Sequence, residues 1–255
     1  MCILFFAINQ HPKYPVIICA NRDEFHARPT QSMHCWPKND LLATDVLAGK
    51  DLQAGGTWLG LNKKGRFSAL TNFRLPHLFD KNKKSRGELV LQALAHSDNE
   101  VFQQLTQSAD IYNGYNLIFG QLNNLMCFDN ISQKKQALGP GFHSLCNGAL
   151  DDVWPKMALG QTELANKIKD QSLDIEQLFK LMKSDKKAQD EHLPQTGVPL
   201  SWEQLLSSIF IISPEYGTRT TNIITLDNEG NISVYDQSYN EQGECIQKQT
   251  FSIAL

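Results

Sequence analysis

Two apolar runs near the start of the chain, CILFFAI (2–8) and VIICA (16–20), flank a short turn through HPKYP. Uninterrupted apolar segments of this length, bounded by turn residues, predict an opening hairpin of two buried strands. Such a hairpin needs a core to sit in. The 255 residues, 41% hydrophobic and 20% charged, supply the material for one.

The remaining elements alternate by region. GGTWLGLNKKGRFSALTNFR (55–74) reads as WLGL, a Lys-Gly turn and FSALT, a second hairpin entered through a flexible Gly-Gly pair. RGELVLQALAH (86–96) and EVFQQLTQSA (100–109) carry apolar residues at helical spacing. Strands NLIFG (116–120) and LMCFD (125–129) follow, then helices over 155–184 with Ile175, Leu178, Phe179 and Met182 on one stripe, read as core. After a polar loop (186–199), Ser201 and Gln204 suggest a capping box. SIFII (208–212), TNIITL (221–226) and ISVYD (232–236) predict further strands, with a DNEG turn between the last two. Strands at both ends with helices between them predict one α+β domain over residues 1–255, its terminal strands sharing a sheet.

At a net charge of −3, no electrostatic footprint for nucleic acid or acidic lipid is visible in the composition. The clusters KNKK (81–84) and KSDKK (183–187) read as solvated loop or helix ends. Six cysteines, at 2, 19, 35, 127, 146 and 245, form no CxxC pair or zinc spacing, which suggests reduced thiols and no metal site. The opening apolar run lacks a basic n-region and is too short for a signal peptide or a membrane span. A cytoplasmic protein without stable membrane insertion is expected.

Polar residues that interrupt apolar strands mark the candidate site, because burial without partners is costly. Removal of Met1 would leave Cys2 with a thiol beside its own α-amine, a nucleophile next to a base. NRDE (21–24) sets Asn21, Arg22, Asp23 and Glu24 at the end of the second strand, where hairpin pairing brings Asp23 opposite the chain's start. Asn72 closes FSALT, Asn147 lies between a short strand and a helix, and Tyr216, Gly217 and Arg219 head an apolar strand. Each of these is weak alone, since an Asn at a strand end is ordinarily a turn former.

Taken in order, MCI, ANRDEFHARP, GGTWLGLNKKGRFSALTNFR, SRGELV, YNGYNLIFG, SLCNGALDDVWPK and YGTRTTNIITLD closely resemble the NRDE family, over nearly the whole chain. The resemblance implies an α+β, four-layer αββα sandwich of two antiparallel sheets, of the N-terminal-nucleophile hydrolase type. More distantly the layout is similar to the penicillin V acylase and bile-salt hydrolase group. Cys2, Asp23, Asn72 and Asn147 fall on that group's Cys, Asp and two Asn positions. The acylases' Arg, three residues before the Asp, corresponds to Ala20 here, and Arg22 is expected to face away from that place.

Two functions follow from the resemblance. The preferred one is a carrier of haem or another hydrophobic, lipid-like molecule, with haem a transient cargo and no cofactor required. Asn21, Glu24, His26, Trp58, Tyr216 and Arg219 are its candidate ligand-binding residues, and His26, His34 and Cys35 the groups to test against haem iron. The alternative is an amidase cleaving a linear C–N bond. In it Cys2 attacks, Asn72 and Asn147 stabilise the oxyanion, Asp23 holds the amine and Arg22 sets the local charge.

Overall fold

Alternation along β1 (Cys2–Ile8) and β2 (Val16–Phe25) divides their side chains between two cores. Cys2, Leu4, Phe6, Val16, Ile18 and Ala20 face one way, Ile3, Phe5, Ala7, Ile17 and Cys19 the other, and all are buried. A strand buried on both faces must lie inside a layered structure. The computed structural model describes residues 2–170 and 172–255.

Eleven further strands complete the two sheets: β3 (Thr30–Trp36), β4 (Val46–Asp51), β5 (Leu59–Asn62), β6 (Arg66–Asn72), β7 (Tyr115–Gln121), β8 (Asn124–Asp129), β9 (Lys134–Ala137), β10 (Gly141–Leu145), β11 (Tyr216–Leu226), β12 (Asn231–Tyr239) and β13 (Cys245–Ala254). One sheet runs β10-β1-β2-β11-β12-β13 and the other β3 through β9 in sequence order. Every pairing is antiparallel. The strands from both chain ends do share a sheet. Between the sheets, Leu4, Phe6 and Ile18 meet Leu59, Leu61, Phe67 and Ile118.

Helices cover the two outer faces. α1 (Gly87–Ala95) and α2 (Asp98–Gln107) pack on the seven-stranded sheet through Val90, Leu94 and Leu105. On the six-stranded sheet, α3 (Pro155–Lys167) and α4 (Ile175–Met182) seat Met157, Leu164, Leu178 and Phe179 over Ile3 and Phe5. A short α5 (Leu200–Leu205) follows. The result is the four-layer αββα sandwich expected. No helix among the described residues is long and apolar enough to cross a membrane.

Three local expectations are corrected. The run SIFII forms no strand: Phe210 and Ile211 are buried, but in a bent segment, because an apolar stretch of five is compatible with any buried backbone. Ser201 does not cap α5, whose N-cap is Pro199, and Gln204 instead donates to Asp190. The capping box belongs to Ser97 and Glu100 at the start of α2. The Gly-Gly pair is close packing rather than looseness at its second member: a Cβ on Gly56 would lie 2.6 Å from the Gly87 backbone.

Candidate functional site

β2 continues through the NRDE residues to Phe25, so these four lie inside a strand rather than beyond its end. In register, Cys2 stands opposite Arg22, and Arg22 in turn opposite Thr220 of β11. The β2–β11 ladder slips between Thr218 and Thr220, leaving Arg219 as the extra residue of a β-bulge. A bulge re-aims the side chains beside it. Both Arg22 and its neighbour Asp23 border one cavity of about 520 Å³, although strict alternation would separate them.

Cys2, Asp23 and Asn72 line this cavity together with Glu24 and Trp58. Burial pushes the Cys2 thiol up to about 11. The same cause raises the Asp23 carboxyl, against an opposing hydrogen bond of 2.7 Å from the Thr218 hydroxyl. The Asn72 side-chain amide makes no hydrogen bond to the described residues. Its backbone carbonyl accepts from Asn147 Nδ2 at 2.9 Å. Asn147 therefore does not line the cavity; it braces Asn72. It is braced in turn by Arg74, whose backbone N–H donates to the Asn147 carbonyl at 2.8 Å. Arg74 forms a buried ion pair of 2.7 Å with Glu203 of α5 and lies over the Trp154 ring.

Arg22 corrects the expectation drawn from Ala20. The two are separated by two positions on the same face of β2, so Arg22 presents a guanidinium to the cavity after all. It donates to Thr30 Oγ1 at 2.9 Å and lies 3.6 Å from Glu24. Arg28 clasps Asp51 through two of its nitrogens.

Four proposed ligand-binding residues do not reach the cavity. Asn21 points to the helical face, where its amide donates to the carbonyls of Met182 and Ile209 and its oxygen accepts from Thr221. The Tyr216 hydroxyl donates to the Asp23 carbonyl at 3.0 Å, and its ring packs on Phe25 and Trp202. Arg219, on the bulge, donates to the carbonyls of Phe25 and His26. The His26 ring is held 3.0 Å from the Ser213 carbonyl and against Gly217. His34 and Cys35, on β3, do not line it either. Tyr216 and Arg219 thereby brace Asp23 and Phe25, two residues of the lining. The question of Met1 removal lies outside the described residues.

Charge is what the sequence left unread. Arg28, Lys50, Lys81, Lys83, Lys84 and Arg86 join Arg22 in the lining, against only Asp23, Glu24, Asp51 and Asp80. The pairs already described occupy Glu24 and Asp51. Arg86 has no carboxylate within 4.0 Å among the described residues; it donates to the Gly114 carbonyl, and burial pushes it down to about 10. A cation destabilised by burial stabilises an incoming anion. The Gly56–Gly87 contact delivers Arg86 here, since it seats the start of α1 against the 55–57 segment. The one legible signal was SRGELV itself, which reads as a helix start and conceals the direction of its arginine.

The family model described as Transport and Golgi organisation 2 matches residues 1–241. The Transport and Golgi organization protein 2 homolog of Bos taurus is 29% identical over 266 residues, covering 93% of each chain. The Homo sapiens homolog is 28% identical over 261 residues with the same coverage. Among solved structures, the C2A mutant of conjugated bile acid hydrolase from Clostridium perfringens superposes with a TM-score of 0.54 at 13% identity, over 98% of this chain and 96% of that one. The Caenorhabditis elegans ortholog of N-acylethanolamine-hydrolyzing acid amidase gives 0.51 at 10%, over 88% and 92%. These two likenesses concern the fold.

Proposed function

This chain belongs to the Transport and Golgi organisation 2 family, and from that premise we propose that it carries a small amphipathic anion, of the haem or lipid-like class, in the cavity beside Cys2. One observation carries the reading: the cavity is lined by more cations than carboxylates, with Arg86 half-buried and no carboxylate within 4.0 Å of it among the described residues. Carboxylate or phosphate oxygens would meet Arg86, while the faces of Trp58 and Phe79 contact the apolar body. For haem, Cys2 is the only His, Cys or Met side chain in the lining among the described residues, so the sulfur is the iron ligand this cavity offers.

Titration of haem into the cargo-free protein is the test. A saturable Soret shift at micromolar haem is expected, weakened at least tenfold in Arg86→Ala and altered in position in Cys2→Ala. A fluorescent fatty acid displaced by unlabelled fatty acid, and again weakened in Arg86→Ala, would place the cargo in the lipid-like class. Absence of both signals removes the carrier reading.

A second reading is favoured by the convergence of Cys2, Asp23 and Asn72 on one cavity. If Met1 is removed, the α-amine accepts the thiol proton, sulfur attacks an amide carbon, and the leaving amine takes a proton. Water then releases the acid from the acyl-enzyme. The Asn72 amide supplies an oxyanion donor. A thiol pushed up to about 11 is almost wholly protonated at neutral pH, which disfavours this chemistry unless the amine assists. Intact mass retaining Met1, or unchanged amide turnover in Cys2→Ala, would eliminate it.

A further inference from the structure

The segment from Leu75 to Lys84 carries exposed apolar tips where a free loop would be polar. Leu78 is 57% exposed and Phe79 64%, yet the segment is held firmly. Pro76–Leu78 forms a 3₁₀ turn. Asn113, itself buried, donates through Nδ2 to the Asp80 carbonyl and accepts from the Asp80 N–H, both at 2.8 Å. The Lys84 N–H donates to the Ile111 carbonyl, and Ile111 is also exposed. Large apolar side chains displayed on a pre-ordered turn are a mark of an interaction surface.

Three features identify the partner. Lys81 and Lys84 are exposed immediately beside the apolar tips, with Lys83 between them. No salt bridge engages these lysines among the described residues. Phe79, Lys81, Lys83 and Lys84 also border the cavity mouth, as does Phe25, which is likewise exposed. Apolar tips flanked by lysines match the acyl boundary and acidic headgroups of a bilayer. We infer that residues 75–84 dock this protein on an anionic membrane surface, with Leu78 and Phe79 entering the interface and the lysines meeting headgroups. The cavity mouth then faces the lipid from which an amphipathic molecule is taken, or into which it is returned.

This docking is measured without cargo, so its outcome is independent of the carrier reading. The full chain is mixed with vesicles of phosphatidylcholine alone, or of phosphatidylcholine with phosphatidylserine, and floated on a density gradient. Recovery with the acidic vesicles, little with the neutral ones, and release by high salt are expected. Since each surface lysine is worth about 1 kcal/mol, or about fivefold, the double variant K81Q/K84Q should partition about twenty-fivefold less. L78S/F79S should lose retention, with circular dichroism and thermal midpoint establishing that it is folded. Arg86→Ala should float as the native chain does while losing anion binding, which separates the two ideas. Equal recovery on both vesicles, no recovery, or unaffected variants would overturn the inference. So would a concentration-dependent dimer abolished by L78S/F79S, which would assign the patch to a second copy of the chain.

Discussion

At the scale of single residues, Asp236 illustrates how this fold tolerates polar groups inside. It faces the space between the sheets on β12, aligned with Asn222 and Gln249 on the adjacent strands. Asn222 donates to one of its oxygens at 2.6 Å, while the other is buried without a hydrogen-bond partner among the described residues. Burial raises its carboxyl from 3.8 to about 6. A raised folded-state pKa contributes stability in full below the unfolded value and loses it as pH rises through the folded one. Between pH 4 and pH 8 the native protein should therefore lose up to about 3 kcal/mol through this group. Asp236→Asn, which cannot ionise, should gain on the native chain by that amount over the same interval in urea unfolding. A difference between the two proteins that stays constant with pH would refute the assignment. The sequence places Asp236 within ISVYD, but nothing there shows that it faces the interior, because that depends on register with β11.

Among secondary-structure elements, legibility followed periodicity. Strands β1, β2, β7 and β8 were readable as short apolar runs bounded by turn residues, and helices α1 and α2 because their apolar residues recur at helical spacing. β9 and β13 were not, since β9 is exposed throughout and most of β13 is solvent-facing, so neither has an apolar pattern to read. Close approaches were hidden for a different reason: they depend on what lies opposite. Gly160, within α3, sits where a Cβ would fall 2.0 Å from the nearest ring atom of Phe5. Helix propensity alone favours alanine by about 1 kcal/mol, whereas overpacking a filled core costs roughly 1–3 kcal/mol or more. The clash should win, so Gly160→Ala is expected to destabilise by roughly 1–2 kcal/mol, read as a lower urea midpoint at unchanged slope. In a Phe5→Leu background the same change should cost less. A stabilised Gly160→Ala would mean that α3 can move away from β1.

For the molecule as a whole, totals mislead. A chain of net charge −3 gathers a positive cavity because Arg22, Arg28, Lys50, Arg86 and the lysines of 81–84 come from separate stretches that the sandwich brings to one end of the two sheets. Resemblance grouped Cys2, Asp23 and Asn72 before any coordinates did, since those motifs are fixed in order along the chain. It missed Arg86 and the lysines, whose orientation depends on packing and turn geometry. The lysines had read as ordinary solvated charges, and separating their effect from that of Arg86 requires salt. Screening shortens the reach of exposed charges from about 30 Å at 0.01 M to about 3 Å at 1 M, but acts far less on a buried group. Calorimetric affinity for an anionic amphiphile should therefore fall steeply at first as salt is added and then level off. K81Q/K84Q should remove the salt-sensitive part and leave the plateau, whereas Arg86→Ala should lower the plateau itself. The neutral methyl ester of the same amphiphile should bind weakly and without salt dependence. If ester and acid bound alike, the cavity's charge would serve its walls rather than its ligand.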